Sequence, residues 1–239
     1  MSLTTPTPVP AARPGRRGVL ALGLAALTAT TVGAAAPVAV PAPRRPAAGL
    51  LDASGALAEL RAGNDRFAAL RQRHPHQDEA RRATVAVAQH PFAAVLGCID
   101  SRVPPELVFD QGLGDLLAVR SAGQALDEAV LGSLQYGVEE LHVPLVLVLG
   151  HERCGAAAAA VEYVRTGNPA EGHLERVVEE LAPAARATRH LPGDWVENTV
   201  RANVDRITRR LARDAAFSHA RIVGARFDLD TGKVAFHPA

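Results

Sequence analysis

Phe92-Ala93-Ala94-Val95-Leu96-Gly97-Cys98-Ile99-Asp100-Ser101-Arg102 is an apolar run that ends in a group of reactive side chains. A second stretch repeats the arrangement: Pro144-Leu145-Val146-Leu147-Val148-Leu149-Gly150-His151-Glu152-Arg153-Cys154-Gly155. Continuous apolar runs of this length, bounded by Gly and Pro, suit strands covered on both faces. Residues 116–121 read as a further strand. Residues 220–228 and 233–236, joined around Asp230-Thr231-Gly232, read as a closing strand and hairpin. Segments of helical period lie between them. The fold predicted is α/β: a mainly parallel central sheet, about four parallel strands plus a C-terminal antiparallel edge strand, flanked by helices.

Parallel strands end on one edge of their sheet, where open α/β sheets bind ligands. Cys98, Asp100, His151 and Cys154 then converge on one crevice, a four-ligand set suited to zinc. These are the only two cysteines in the chain. Thiolate ligands select zinc, copper(I) or iron-sulfur centres, and one imidazole with one carboxylate makes Zn2+ the best fit. Two unrelated buried cysteines are the plain alternative. The C-x-D alternation places Cys98 and Asp100 on the same side of an extended segment. The three-residue spacing of His151 and Cys154 suits a strand end entering a first helical turn. Arg102 can take the Asp100 carboxylate in a two-point pair. So paired, Asp100 stays ionised, leaves the metal and can accept a proton. Unpaired, it can ligate the metal and block the site. A purely structural Asp-Arg pair is the competing reading.

Outside these runs, residues 52–71 have helical period through Leu57, Leu60, Asn64 and Phe67, with Asp52 or Ser54 as cap. His74-Pro75-His76 reads as a solvated turn rather than a metal site. Further helices are predicted over 78–90, from Pro104-Pro105 onward, and over 126–141, 154–165, 175–190 and 196–214. Hydrophobic residues make up 48% of the chain and aromatics 4%, so the core must come mainly from Ala, Val and Leu. Arg13, Arg16 and Arg17 are the only charges before Pro37, which leaves 23 basic against 25 acidic residues beyond it, a net of −2. That balance gives no reason to expect a nucleic-acid partner.

Residues 1–36 read as a twin-arginine export signal. Arg16-Arg17 precedes an uncharged apolar run, and Ala34-Ala35-Ala36 offers small residues for cleavage. The protein is then expected outside the cytoplasm: periplasmic, cell-wall or secreted. The run 18–40 is long enough to span a bilayer, so an uncleaved membrane anchor is the alternative. Residues 37–50 are a Pro/Ala-rich linker, and 51–239 form the folded domain.

The motif Cys98-x-Asp100-Ser101-Arg102-x-x-Pro105-Glu106 followed by His151-x-x-Cys154-Gly155 resembles the β-class carbonic anhydrases. The resemblance runs from about residue 57 to 236. Ala56-Leu57-x-x-Leu60-x-x-Gly63-Asn64-x-Arg66-Phe67 is similar to the family's N-terminal helix. Val119-Arg120-Ser121-Ala122-Gly123-Gln124 resembles its second-strand motif, with Ser121 and Gln124 where Asn is usual. The segment 223–232 matches its closing hairpin. The resemblance implies zinc-dependent, reversible hydration of CO2 to bicarbonate and a proton, with Asp100 and Arg102 as a catalytic dyad gating the metal. It implies a homodimer or a dimer of dimers. An apolar face on the helix before the sheet, free to pack across a neighbour, is a weaker physical motive for assembly. Gln89, nine residues before Cys98, matches a plant-type glutamine that donates to CO2 or bicarbonate; a solvent-facing Gln is the alternative. The other subfamily carries a Trp three residues before its first Cys and binds bicarbonate there as an inhibitor. This chain has Val95, which implies the non-allosteric type. A pocket for so small and apolar a substrate should be lined by residues such as Val103, Ala122 and Gly123. Export in folded form suits an enzyme that, by the resemblance, takes up its metal while folding in the cytoplasm. Two other functions fit the same ligands: hydrolysis of carbonyl sulfide or carbon disulfide, and non-catalytic zinc binding.

Overall fold

The computed structural model describes residues 51–237; the predicted signal (1–36) and linker (37–50) lie outside the described residues. Among the described residues, no helix is long and apolar enough to cross a membrane.

Five strands form one sheet in the order β2-β1-β3-β4-β5. They are β1 (Ala93–Cys98), β2 (Leu116–Ser121), β3 (Leu145–His151), β4 (Arg221–Phe227) and β5 (Val234–Phe236). β1 pairs in parallel with β2 and β3, β3 pairs in parallel with β4, and β5 closes the edge antiparallel to β4. This is the predicted four parallel strands and one antiparallel edge.

β1 and β3 are buried along their whole length, as their unbroken apolar sequence requires. Alternate residues serve opposite faces. Val95, Leu145, Leu147 and Leu149 join Leu57 and Leu60 of α1 (Ala53–Ala68) and Val108 of α3 (Pro105–Val108). Leu96, Val146 and Val148 join Leu134 of α4 (Glu128–Glu139) and Val204, Ile207 and Leu211 of α7 (Trp195–Arg213). A third cluster of mostly small side chains joins Ala157 and Ala160 of α5 (Gly155–Thr166) to Leu181 and Ala185 of α6 (Leu174–Thr188). Both cysteines sit in that third cluster.

Several boundaries differ from expectation. The helix expected over 78–90 is only α2 (Glu79–Val85). It buries none of its side chains, and Val87 beyond it is 89% exposed, so no packing extends it. What holds it is the Asp78 cap and an ion pair of Arg81 with Asp115. The turn at 74–76 is solvated as expected, with His74 and His76 exposed, and His76 Nδ1 lies 2.7 Å from the buried carboxylate of Asp115. Asp52, not Ser54, caps α1, accepting from Gly55 N at 2.7 Å. The apolar face of α1 packs against its own sheet, so it is not free for a neighbour. In α4, Ala129 is exposed, while Leu134 and Val138 are buried.

Candidate metal centre

Because β1 and β3 are adjacent and in register (Gly97 beside Leu149), they end at the same level of the sheet. Cys98 is the last residue of β1 and His151 the last of β3. Two residues of turn follow, with Arg153 at φ +50°, and Cys154 becomes the N-cap of α5. One ligand atom each from Cys98, His151 and Cys154 lies within 4.8 Å of the other two. All three side chains are buried.

The donor set fits a metal ion. His151 Nδ1 donates to the carbonyl of Glu152 at 2.8 Å, which leaves the Nε2 lone pair toward the cysteines. That Nε2 is buried and has no hydrogen-bond partner. A buried acceptor without a partner is costly, and a metal ion would satisfy it. Glu152 is itself fixed: its carboxylate accepts from Leu229 N at 3.0 Å and pairs with the buried Arg226, which also pairs with Glu197. Glu152, Asp228 and Asp230 form a second cluster of carboxylates, but Arg226 and Arg153 already occupy them.

The thiols share charge unequally. The Cys98 thiol is lowered to about 4 by its hydrogen bond from Cys154, against burial, and by His151 and the N–H groups of Gly123 and Asp100. The Cys154 thiol is pushed up by the same bond, by burial and by the negative charge on Cys98. Burial opposes protonation of His151, yet the nearby charge on Cys98 helps to raise it overall. One thiolate is therefore prepared in advance for a cation.

Asp100 is close to this trio. Its Oδ2 lies 3.9 Å from His151 Nε2. Arg102 Nε donates to Asp100 Oδ1 at 2.9 Å, its Nη2 to Oδ2 at 2.7 Å, and its backbone N–H to Oδ1 at 3.0 Å. The Arg102 bonds hold the Asp100 carboxyl well below the ordinary carboxylate range, against partial burial. The chain leaves its extended path at Cys98, and Val103 N closes a turn on Asp100 O at 3.1 Å. That turn begins at Asp100, and the side chains of Cys98 and Asp100 both face His151. Arg102 and Arg153 face an open groove of about 450 Å³ with Phe67, Leu70 and Leu229.

Of the residues predicted to touch substrate, Gly123 lies against the cysteine. Its N–H donates to Cys98 Sγ at 3.3 Å. It sits at φ +60°, and a Cβ there would come within 2.6 Å of Leu181 and 2.9 Å of Ala156, so only glycine fits. Ala122 is half-buried in the same short turn, and Val103 is fully buried. Gln89 is exposed on the segment between α2 and β1, outside the buried trio.

Two supporting residues escaped the sequence reading. Asn203 of α7, 80 positions away, donates to Gly123 O at 2.9 Å. Arg120 of β2 donates to the carbonyls of Cys98 and Asp100, each at 2.7 Å. The mid-helix Asn with 1% exposure was the available signal for the first. Ser121 and Gln124 lie in the same turn. Ser121 Oγ donates to Ala125 O at 2.7 Å, and the buried Gln124 side-chain nitrogen finds no partner.

A family model for carbonic anhydrase matches residues 93–234. Carbonic anhydrase 2 of Mycobacterium tuberculosis is 41% identical over 181 residues, 73% of this chain and 87% of that one. Among solved structures, a tetrameric β-carbonic anhydrase from Sordaria macrospora shares the fold with a TM-score of 0.61. It is 21% identical and aligned over 74% of this chain and 94% of that one. This chain belongs to the β-carbonic anhydrase family. A carbonic anhydrase of Mycolicibacterium smegmatis is 40% identical over 183 residues, 73% of this chain and 88% of that one. The chain is accordingly a carbonic anhydrase, a lyase acting on CO2, and Cys98, His151, Cys154, Asp100 and Arg102 lie in the matched region.

Proposed function

We propose that this protein hydrates CO2 reversibly to bicarbonate and a proton with a zinc ion held by Cys98, His151 and Cys154 and gated by the Asp100-Arg102 dyad. The observation that carries it is the buried, partnerless Nε2 of His151 facing two cysteines, with a carboxylate 3.9 Å away that an arginine holds. A zinc ion held by Cys98, His151 and Cys154 would lower the pKa of bound water and so supply the nucleophile for CO2 near neutral pH. Two thiolates donate more charge than imidazoles, so this donor set favours water ionisation less than three imidazoles would. Asp100 offsets that. Its carboxylate stays ionised because Arg102 holds it, and with Oδ2 3.9 Å from His151 Nε2 it is placed to accept a proton from water at the metal position. Gly123 N–H and the Asn203 amide fix the wall beside Cys98. Gln89 is exposed before β1 and takes no part in the trio, so a substrate contact for it rests on the family resemblance alone.

The reading extends to assembly. β2 is an edge strand, and with α4 it lines an open groove of about 610 Å³ that includes Leu117, Val119, Gly132 and Tyr136. An uncovered edge with apolar lining invites a partner, and a second copy of this chain is the occupant proposed. Export through the twin-arginine route, with residues 1–36 removed, remains our proposal for location. Its support is the Arg16-Arg17 pair before the apolar run. If replacing both arginines with lysine leaves extracytoplasmic activity unchanged, that route is wrong. If the exported protein keeps its N-terminus and sediments with membranes, an anchor replaces the cleaved signal.

The function is tested by stopped-flow CO2 hydration beside turnover of carbonyl sulfide and carbon disulfide. Fast CO2 hydration lost on removal of the metal supports the reading. Turnover of the sulfur compounds with negligible CO2 hydration would assign the site to hydrolase chemistry instead.

A further inference from the structure

We infer that Arg120 is a positioning residue for the dyad, acting through the main chain of the loop that carries it. The inference rests on the dyad reading above. Arg120 lies on β2, opposite Gly97 in the parallel register. Beyond Cys98 the backbone of β1 leaves the sheet, so its carbonyls lose their ladder partners. Arg120 replaces them: Nε donates to Cys98 O and Nη2 to Asp100 O, each at 2.7 Å. One planar guanidinium thus spans the carbonyls on either side of Ile99, one belonging to the proposed metal ligand and one to the proposed proton acceptor. Ile99 is 60% exposed, so the intervening residue gains no hold from packing.

Two arginines therefore fix Asp100 from opposite ends. Arg102 holds its carboxylate and Arg120 holds its carbonyl. A rigid fork can bridge two acceptors in a way that a lysine ammonium on a flexible stem cannot. Arg120 has no contact of its own with the three buried ligand atoms; every effect it has on chemistry must pass through the Cys98–Asp100 backbone. Without the fork, the Asp100 carbonyl keeps only the Val103 N–H, the Cys98 carbonyl loses its side-chain donor, and the direction in which Asp100 presents its carboxylate is set less firmly.

The test compares Arg120→Lys and Arg120→Ala with the unaltered protein, each loaded with zinc for turnover and with cobalt(II) for spectroscopy. The inference predicts that kcat falls about tenfold in Arg120→Lys and further in Arg120→Ala, with KM within twofold. It also predicts that the visible bands of the cobalt(II) protein, which report the surroundings of the metal, shift in both. If Arg120→Ala fails to fold, Arg120→Lys, which keeps the charge, decides alone. Normal kcat and unchanged cobalt bands in Arg120→Lys would overturn the positioning role, whatever happens to melting temperature. If the unaltered protein itself fails to hydrate CO2, the functional reading falls, while the cobalt bands still test whether Arg120 sets the site.

Discussion

Arg102 grips Asp100 at both carboxylate oxygens, 2.9 Å and 2.7 Å, while Asp100 Oδ2 stands only 3.9 Å from His151 Nε2. The carboxylate thus lies between Arg102 and the candidate metal trio, and Arg102 holds it. Rotation about the Asp100 side chain is the smallest motion that would exchange Arg102 for a metal at the Cys98-His151-Cys154 trio.

The trio should bind one zinc per chain. Replacing both Cys98 and Cys154 with Ala should abolish binding, because the soft donors are removed and His151 alone remains in the cluster. Elemental analysis of purified protein checks this. Zinc retained at one per chain in the double variant would show that the metal sits elsewhere.

Gly123 should tolerate no side chain. Gly123→Ala imposes a left-handed backbone on alanine and drives its Cβ into Leu181 and Ala156. The cost should be about 3 kcal/mol of stability from those two causes together. Zinc affinity should also weaken, since the N–H aimed at Cys98 Sγ is displaced. Thermal melting with and without zinc measures both, and a variant as stable as the parent would contradict the packing described.

How much of this was legible beforehand depended on range. β1 and β3 declare themselves because both faces are buried, so their sequence is apolar without interruption. The ligands follow at once, since each lies at or just beyond a strand end. The half-exposed β2 and the seven-residue α2 carry weaker patterns, and the end of α2 was misplaced because no packing marks it. Arg120, Asn203 and Arg226 act on residues 20 to 80 positions distant. No local period encodes such contacts. Only a polar side chain standing on an apolar face, as Asn203 does with Val200, Val204 and Ile207, points to such a contact.

Asp110 should matter for stability at neutral pH and not in acid. Its side chain is 1% exposed and accepts from Arg66 Nε at 2.5 Å and from the N–H groups of Arg73 and His74 at 3.0 Å. Burial pushes its carboxyl up, but Arg66 and the N–H donors outweigh that and depress it below 3.8. A depressed carboxyl stabilises the fold above its unfolded pKa and loses that contribution as pH falls through the folded value. Asp110→Asn should therefore cost about 3 kcal/mol at pH 7, with the gap to the parent narrowing below pH 3.8. Denaturant titrations at the two pH values check this; a gap independent of pH would refute it.

The edge groove should be an interface between copies. Gly132 lines it, is exposed, and would meet nothing within 4 Å if it carried a Cβ, so Gly132→Glu leaves the single chain undisturbed. Light scattering should show a dimer or larger for the parent and a shift toward monomer for the variant. A monomeric parent with full activity would rule the interface out.

The dyad itself is tested most directly by kcat/KM of Arg102→Ala for CO2 hydration, normalised to folded, zinc-loaded protein. Arg102 is not a ligand, so zinc should remain near one per chain. Freed from its partner, Asp100 turns to the metal, and kcat/KM should fall by about a hundredfold or more, the scale of lost acid-base assistance. A value within a few-fold of the parent, with only stability lowered, would mean that Asp100 and Arg102 form a structural ion pair and do not gate the site.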